Sequence, residues 1–219
     1  MAIARYIDHT QLHPAASLTD IHTLCQEALD FDFKAVCVPG SRLGIAREMV
    51  SDSGVRLAAV VGFPHGNAST EAKCCEATAY LQSGADELDI VVNLGWLKSG
   101  KLENMAEELK RLRAIAPDNV LKLILETCYL EDGEKVLACE LASGAGWDFV
   151  KTSTGFGTGG ATLSDVKLMK KTVGDTVQVK ASGGIRDYQT ALKFLEAGAS
   201  RIGTSLGPAI ARGENKETA

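Results

Sequence analysis

Three lysines sit inside β-branched runs: Lys122 in "LKLIL", Lys151 in "FVKTS" and Lys180 in "QVKAS". Lysine is among the residues least often buried, because its ammonium is costly to desolvate. A lone strand lysine can send its long stem to solvent. Three on successive strands are harder to account for, since crowding them costs both repulsion and desolvation. Asp89, in "ELDIVVN", falls in the same band, and Glu126 at the end of "LKLILET" is expected to line its mouth. The chemistry that uses such a cluster is imine formation. An amine attacks a carbonyl only when neutral, and free lysine has a pKa of about 10.4. A neighbouring cation and partial desolvation lower that value and give a nucleophile at neutral pH. The protonated imine then serves as an electron sink for making or breaking a C–C bond. This chemistry needs no metal, and no cofactor is expected. His9, His13, His22 and His65 show no metal-ligand spacing, and none of the six cysteines forms a C-x-x-C pair.

Two later segments have the composition of an anion cradle. "KASGGIRD" contains Gly183 and Gly184, and "RIGTSLG" contains Gly203 and Ser205. Glycines let backbone N–H groups approach phosphate oxygens closely, and a following helix adds its positive end. Gly155, in "KTSTGFG", is placed to contribute from the lysine-bearing segment, and Arg186 is a secondary candidate.

The elements that must position these residues are read from periodicity. Candidate strands are "YIDHT", "KAVCVP", "RLAAVVGF", "ELDIVVN", "VLKLILET", "FVKTS", "VQVKASG" and "SRIGTS". Between them lie amphipathic stretches such as "SLTDIHTLCQEALDF", "STEAKCCEATAYLQSG" and "LENMAEELKRLRAI". Ser17, Ser69, Ser164 and Asp187 are expected helix caps, and Gly84, Gly144 and Gly198 expected helix stops. Eight β–α units in this length predict an α/β fold, a closed parallel (β/α)8 TIM barrel. A doubly wound open sheet is the alternative, and it normally carries fewer strands at this size. No linker or low-complexity segment marks a boundary, so residues 1–219 read as one domain, with the tail "RGENKETA" expected to fray. In a barrel, phosphate sites often lie in the seventh and eighth loops, which is where the two glycine segments fall. Twenty-nine positions separate Lys122 from Lys151 and Lys151 from Lys180, about one β–α unit. The three lysines are therefore expected at similar heights on strands five, six and seven.

Net charge is −5 with a pI near 5.4. That argues against nucleic acid as a partner, since phosphate backbones demand a basic footprint. Scattered thiols fit a reducing compartment better than a disulfide framework. "MAIARYIDHTQLHP" has charges at Arg5 and Asp8 and does not read as a signal peptide. The longest apolar run, around Leu57 to Val61, is too short to cross a bilayer. A cytoplasmic protein acting on small molecules is the expectation, with neither nucleic acid nor membrane as a partner.

"IDHTQL", "LDIVVN", "LKLILET", "VKTSTGF", "VKASGGIR" and "RIGTS" together resemble the deoxyribose-phosphate aldolases, class I aldolases on a (β/α)8 barrel. The resemblance runs from about Tyr6 to Leu206, and "VKTSTGF" followed by "VKASGGIR" is its most specific part. It implies reversible cleavage of 2-deoxy-D-ribose 5-phosphate to glyceraldehyde 3-phosphate and acetaldehyde, in deoxynucleoside catabolism. It also implies Lys151 as the Schiff-base nucleophile, Lys180 as the lysine that depresses its pKa, and Asp89 as the carboxylate that moves protons through a water. Asp8 would hold Lys180, and Lys122 would stand beside the site and contact a substrate hydroxyl. Gly155, Gly183, Gly184, Gly203 and Ser205 match the phosphate-binding positions, and a homodimer is implied. Two departures stand out: Leu206 replaces a second serine found in many relatives, and the tail lacks the tyrosine some relatives carry there. Two other readings are a transaldolase-like carbon transferase, which would need a longer donor, and a catalytically silent phosphosugar-binding barrel.

Overall fold

The β-branched runs fold as short strands and the amphipathic stretches as helices, in alternation along the chain. The computed structural model describes residues 2–217. The strands are β1 (Ile7–Thr10), β2 (Ala35–Val38), β3 (Arg56–Val61), β4 (Glu87–Val91), β5 (Val120–Ile124), β6 (Phe149–Lys151), β7 (Gln178–Ser182) and β8 (Arg201–Thr204). Helices α1 (Leu18–Phe31), α2 (Leu43–Val50) and α3 (Thr70–Gln82) follow the first three strands. A short α4 (Leu94–Lys98) and α5 (Leu102–Ile115) follow β4, and α6 (Asp132–Gly144) follows β5. The last three strands lead into α7 (Leu163–Val173), α8 (Tyr188–Glu196) and α9 (Gly207–Glu217). Each strand pairs in parallel with its sequence neighbours, and β1 pairs with β8, closing the barrel. This is the expected (β/α)8 TIM barrel in a single domain. Closure leaves no strand edge open to water or to another chain.

Alternation along each strand divides the apolar residues between two cores. One face packs under the helices, where Val36, Leu57, Leu88, Leu121, Val150, Val179 and Ile202 belong to the main cluster. The other face points into the barrel, where Cys37, Ala58 and Val60 form a small separate cluster. The remaining inward positions carry most of the buried charge. Among the described residues no helix is long and apolar enough to cross a membrane.

Several expected boundaries move. Ser17, Ser69 and Asp187 cap their helices with side-chain oxygens. Ser164 does not, because Thr162 two residues earlier accepts the Asp165 N–H and starts α7 there. Gly84 and Gly198 take positive φ after their helices, but Gly144 is still helical and Gly146 makes the left-handed stop. The tail expected to fray is helical through Glu217, while Thr218 and Ala219 lie outside the described residues.

Candidate active site

The barrel's register decides which charges meet. Paired residues on parallel neighbours face the same side, and Asp89 pairs with Lys122 while Lys151 pairs with Lys180. The expectation of three lysines at one height is corrected here. Lys122 pairs with Phe149, two residues below Lys151, because the strands of a closed barrel are staggered. Lys122 therefore lies one inward position deeper on its strand than Lys151 does on β6.

Three ammonium groups meet at one carboxylate. Asp89 accepts from Lys122 through Oδ1 at 2.7 Å, and from Lys151 at 2.7 Å and Lys180 at 2.9 Å through Oδ2. Lys180 also donates to Asp8 Oδ2 at 2.5 Å. Asp8 Oδ1 accepts from Arg201 at 2.6 Å, and Arg201 reaches Glu87 Oε1 at 3.1 Å. The other Glu87 oxygen lies 2.6 Å from Lys122 Nζ. Arg201, Asp8, Lys180, Asp89, Lys122 and Glu87 thus form a closed ring of alternating sign. Lys151 hangs on it as one further amine, through Asp89. All seven groups are buried.

The charge count gives each group its character. With every ring member ionised, the ring is neutral, and a proton on Lys151 would leave one unmatched positive charge in a dry interior. The shifts follow that count. Burial pushes the Lys151 amine down, Asp89 pulls it up, Lys180 pushes it down again, and it ends below the ordinary lysine value. Burial also opposes charge on Lys122, but Asp89, Glu87 and Asp8 overcome it and hold its pKa above that of free lysine. Lys180 is raised in the same way by Asp8 and Asp89. The difference between Lys151 and Lys180 is one of partners: Lys180 touches two carboxylates and Lys151 one. Burial pushes the Asp89 carboxyl up, yet Lys122, Lys151 and Lys180 keep it well below the usual carboxylate range. Lys180, Arg201 and Lys122 do the same for Asp8 against its burial.

Above this ring lies a cavity of about 410 Å³, and Lys151 reaches it while Lys122 and Lys180 do not. Gly155, Gly183, Gly184, Gly203 and Ser205 all line it, together with Arg186. The structure therefore brings the lysine and both glycine loops to one opening. Gly183 has φ +90°, and a Cβ there would stand 2.9 Å from Gly160 Cα, so the loop after β7 requires glycine. Gly203 serves the lysines as well. A Cβ at that position would meet Lys180 Cε at 3.1 Å and Ser182 Cβ at 2.9 Å. Leu206 sits half-exposed beyond the lining residues, its N–H donating to Thr204 Oγ1 at 3.0 Å.

Glu126 does not line the mouth. It sits in the left-handed region at φ 53° and turns its buried carboxylate to the loop after β6. There it accepts from the Thr154 N–H at 3.2 Å and from the Thr154 hydroxyl. Glu87 and Arg201 are the charged residues that reading by motif overlooked. The signal was the strand period: Glu87 stands two residues before Asp89, and Arg201 two before Gly203, each on the inward face.

Comparison with known proteins gives the family. Residues 2–212 match the DeoC/LacD family of aldolases. A curated deoxyribose-phosphate aldolase from Carboxydothermus hydrogenoformans is 52% identical over 215 residues, covering 96% of this chain and 94% of its own length. One from Thermococcus gammatolerans is 52% identical over 217 residues, covering 97% and 96%. Among solved structures, the deoxyribose phosphate aldolase of Aeropyrum pernix superposes with a TM-score of 0.88 at 34% identity. That match covers 99% of this chain and 92% of the other, which is described as having a unique tetrameric structure. With a family match spanning residues 2–212 and curated relatives 52% identical over nearly its whole length, this chain belongs to the DeoC/LacD family of aldolases.

Proposed function

We propose that this protein cleaves and forms 2-deoxy-D-ribose 5-phosphate through an imine on Lys151, with D-glyceraldehyde 3-phosphate and acetaldehyde as the other partners. One observation carries the reading: of the three barrel lysines, Lys151 alone both lines the cavity and is held below the ordinary lysine value. Neutral Lys151 attacks the C1 aldehyde of the open-chain sugar, and loss of water gives the protonated imine. The C3 hydroxyl then gives up its proton, the C2–C3 electron pair moves into the imine, and glyceraldehyde 3-phosphate departs. The enamine carbon takes a proton, and water releases acetaldehyde and the free amine. Asp89, 2.7 Å from Lys151 Nζ, is the carboxylate placed to pass these protons with water. Lys180 keeps a positive charge beside the amine, and Asp8 holds Lys180 there. Lys122 holds the other Asp89 oxygen from below at 2.7 Å and does not line the cavity.

The phosphate is assigned to the side of the cavity formed by Gly155, Gly183, Gly184, Gly203 and Ser205, with Arg186 supplying a counter-charge. A silent phosphosugar-binding barrel would have no use for an amine held below the ordinary lysine value at the cavity floor. A transaldolase-like transferase would use a longer donor than acetaldehyde. The test is direct: incubation with 2-deoxyribose 5-phosphate should yield acetaldehyde and glyceraldehyde 3-phosphate in equal amounts, each read by a coupled dehydrogenase. Release of neither, or turnover only with longer ketose donors, would overturn the assignment. A cytoplasmic location and a homodimer complete this reading, and light scattering distinguishes a dimer from the tetramer described for the Aeropyrum pernix relative.

A further inference from the structure

Arg201 and Glu87 take no part in the chemistry above, yet both are buried charges at the bottom of the barrel. The Arg201 guanidinium bridges Asp8 at 2.6 Å and Glu87 at 3.1 Å, and its carbon lies 5.4 Å from the centre of the Phe149 ring. Glu87 carries the link onward to Lys122 at 2.6 Å. Breaking one partner out of a buried ion network normally leaves an uncompensated charge. This network has an amine beside it that can restore the balance by gaining or losing one proton.

We propose that Arg201 and Glu87 are positioning residues for the amine chemistry: they close the buried ring, so that it is neutral without Lys151 and a proton on Lys151 is the charge left unmatched. The inference rests on Lys151 being the imine-forming amine. The groups facing Lys151 and the ring are few and identifiable. They are Asp8 from β1, Cys37 from β2, Glu87 and Asp89 from β4, Lys122 from β5, Lys180 from β7 and Arg201 from β8. β3 turns Arg56, Ala58 and Val60 to this face, with Arg56 at its exposed floor end. Burial, aided by Asp89, pushes the Cys37 thiol up, so it adds no charge at neutral pH. On the floor side, Lys34, Arg56, Asp86 and Asp118 share a smaller cavity with Glu87 and Arg201. Asp86 there is engaged by Arg47 and Arg56.

Two buried residues of this one network therefore act on Lys151 with opposite signs. Removing a ring cation leaves the ring at one negative charge, and Lys151 takes up a proton to balance it. Removing a ring anion leaves one positive charge, and Lys151 gives its proton up more readily. The measurement is the pH midpoint for acetylation of Lys151 by dilute acetic anhydride, read by peptide mass spectrometry, which reports the neutral amine without turnover. Arg201→Gln should raise the midpoint by about one pH unit, cutting the neutral fraction about tenfold on the acid limb. Glu87→Gln should lower it by a similar amount. The double variant should return close to wild type, and Arg201→Lys should stay there.

Midpoints that stay put, that move in the same direction, or that fail to cancel in the double variant overturn the proposal. If Arg201→Gln does not fold, Glu87→Gln and Arg201→Lys decide it: a downward shift in the first without one in the second supports the ring, and any other pattern refutes it. Borohydride trapping of wild type with acetaldehyde is run alongside. Failure to label Lys151 there sinks the imine reading itself, whereas labelled wild type with unmoved midpoints sinks only the role of the ring.

Discussion

Replacing Lys180 with methionine removes one of the two ammonium groups that share Asp89 Oδ2, at 2.9 Å, while Lys151 keeps its own contact at 2.7 Å. Two unit charges roughly 4 Å apart repel by about 4 kcal/mol at an effective dielectric near 20. That corresponds to about three pK units, an upper bound, because side chains and water rearrange around the new methionine. Asp8 stays ionised after the change, since Arg201 still holds it at 2.6 Å. The ring is then short of one cation, and Lys151 is the amine free to supply it. Its pKa should rise by at least one unit toward the free value of about 10.4, which costs at least tenfold in neutral amine at pH 7. The assay is the rate of imine formation with acetaldehyde, trapped by borohydride from pH 6 to pH 10. Lys180→Met should be slow at pH 7 and recover in alkali, whereas Lys151→Met should trap nothing at any pH. Recovery by Lys151→Met, with Lys180→Met inert throughout, would reverse the two roles. If neither variant recovers, charge coupling between the lysines is the wrong explanation for the low Lys151 value.

Asp89→Asn should separate the steps: imine trapping with acetaldehyde persists, while cleavage of the phosphorylated sugar falls by about a hundredfold or more for want of the proton carrier. The same variant should lose roughly 3–5 kcal/mol of stability in urea, because three ammonium groups lose their shared carboxylate; normal stability or a parallel loss of trapping would contradict this. Asp8 and Asp89 sit below the usual carboxylate range in the fold, so they bind fewer protons folded than unfolded. Their contribution is complete above about pH 4 and is lost as pH falls from there through the folded values. Urea midpoints measured downward from pH 7 should therefore drop less steeply below pH 4 in Asp8→Asn than in wild type. Leu206→Ser adds a hydroxyl at the rim and should lower KM for the phosphorylated sugar, by about tenfold to a hundredfold at most, with unphosphorylated deoxyribose unchanged; equal effects on both would move the phosphate elsewhere.

Lys151 and Lys180 were legible in the sequence because lysine in a β-branched run contradicts its setting, and contradictions between local pattern and residue type mark functional sites. The alternation of strands and helices was legible from period alone. The register was not. Equal spacing placed Lys122 level with Lys151, while the barrel's stagger sets it two residues deeper, beside Asp89 and Glu87. The inward face of Glu87 and Arg201 could have been read from their two-residue offset. Their meeting could not, because β4 and β8 stand on opposite walls and come together only when the barrel closes. Glu126 misled for a different reason: its left-handed backbone turns a strand-end carboxylate away from the mouth and onto Thr154. The helix boundaries at Ser164 and Gly144 failed where neighbouring residues offered an equivalent cap or stop, Thr162 in one case and Gly146 in the other.

The central claim is that Lys151 is the amine that forms the imine. Acetaldehyde with borohydride at neutral pH should leave a single ethyl group on the protein, and peptide mass spectrometry should place it on Lys151, with 2-deoxyribose 5-phosphate protecting against the label. An ethyl group on Lys122 or Lys180, or a protein that acquires none, would contradict the account.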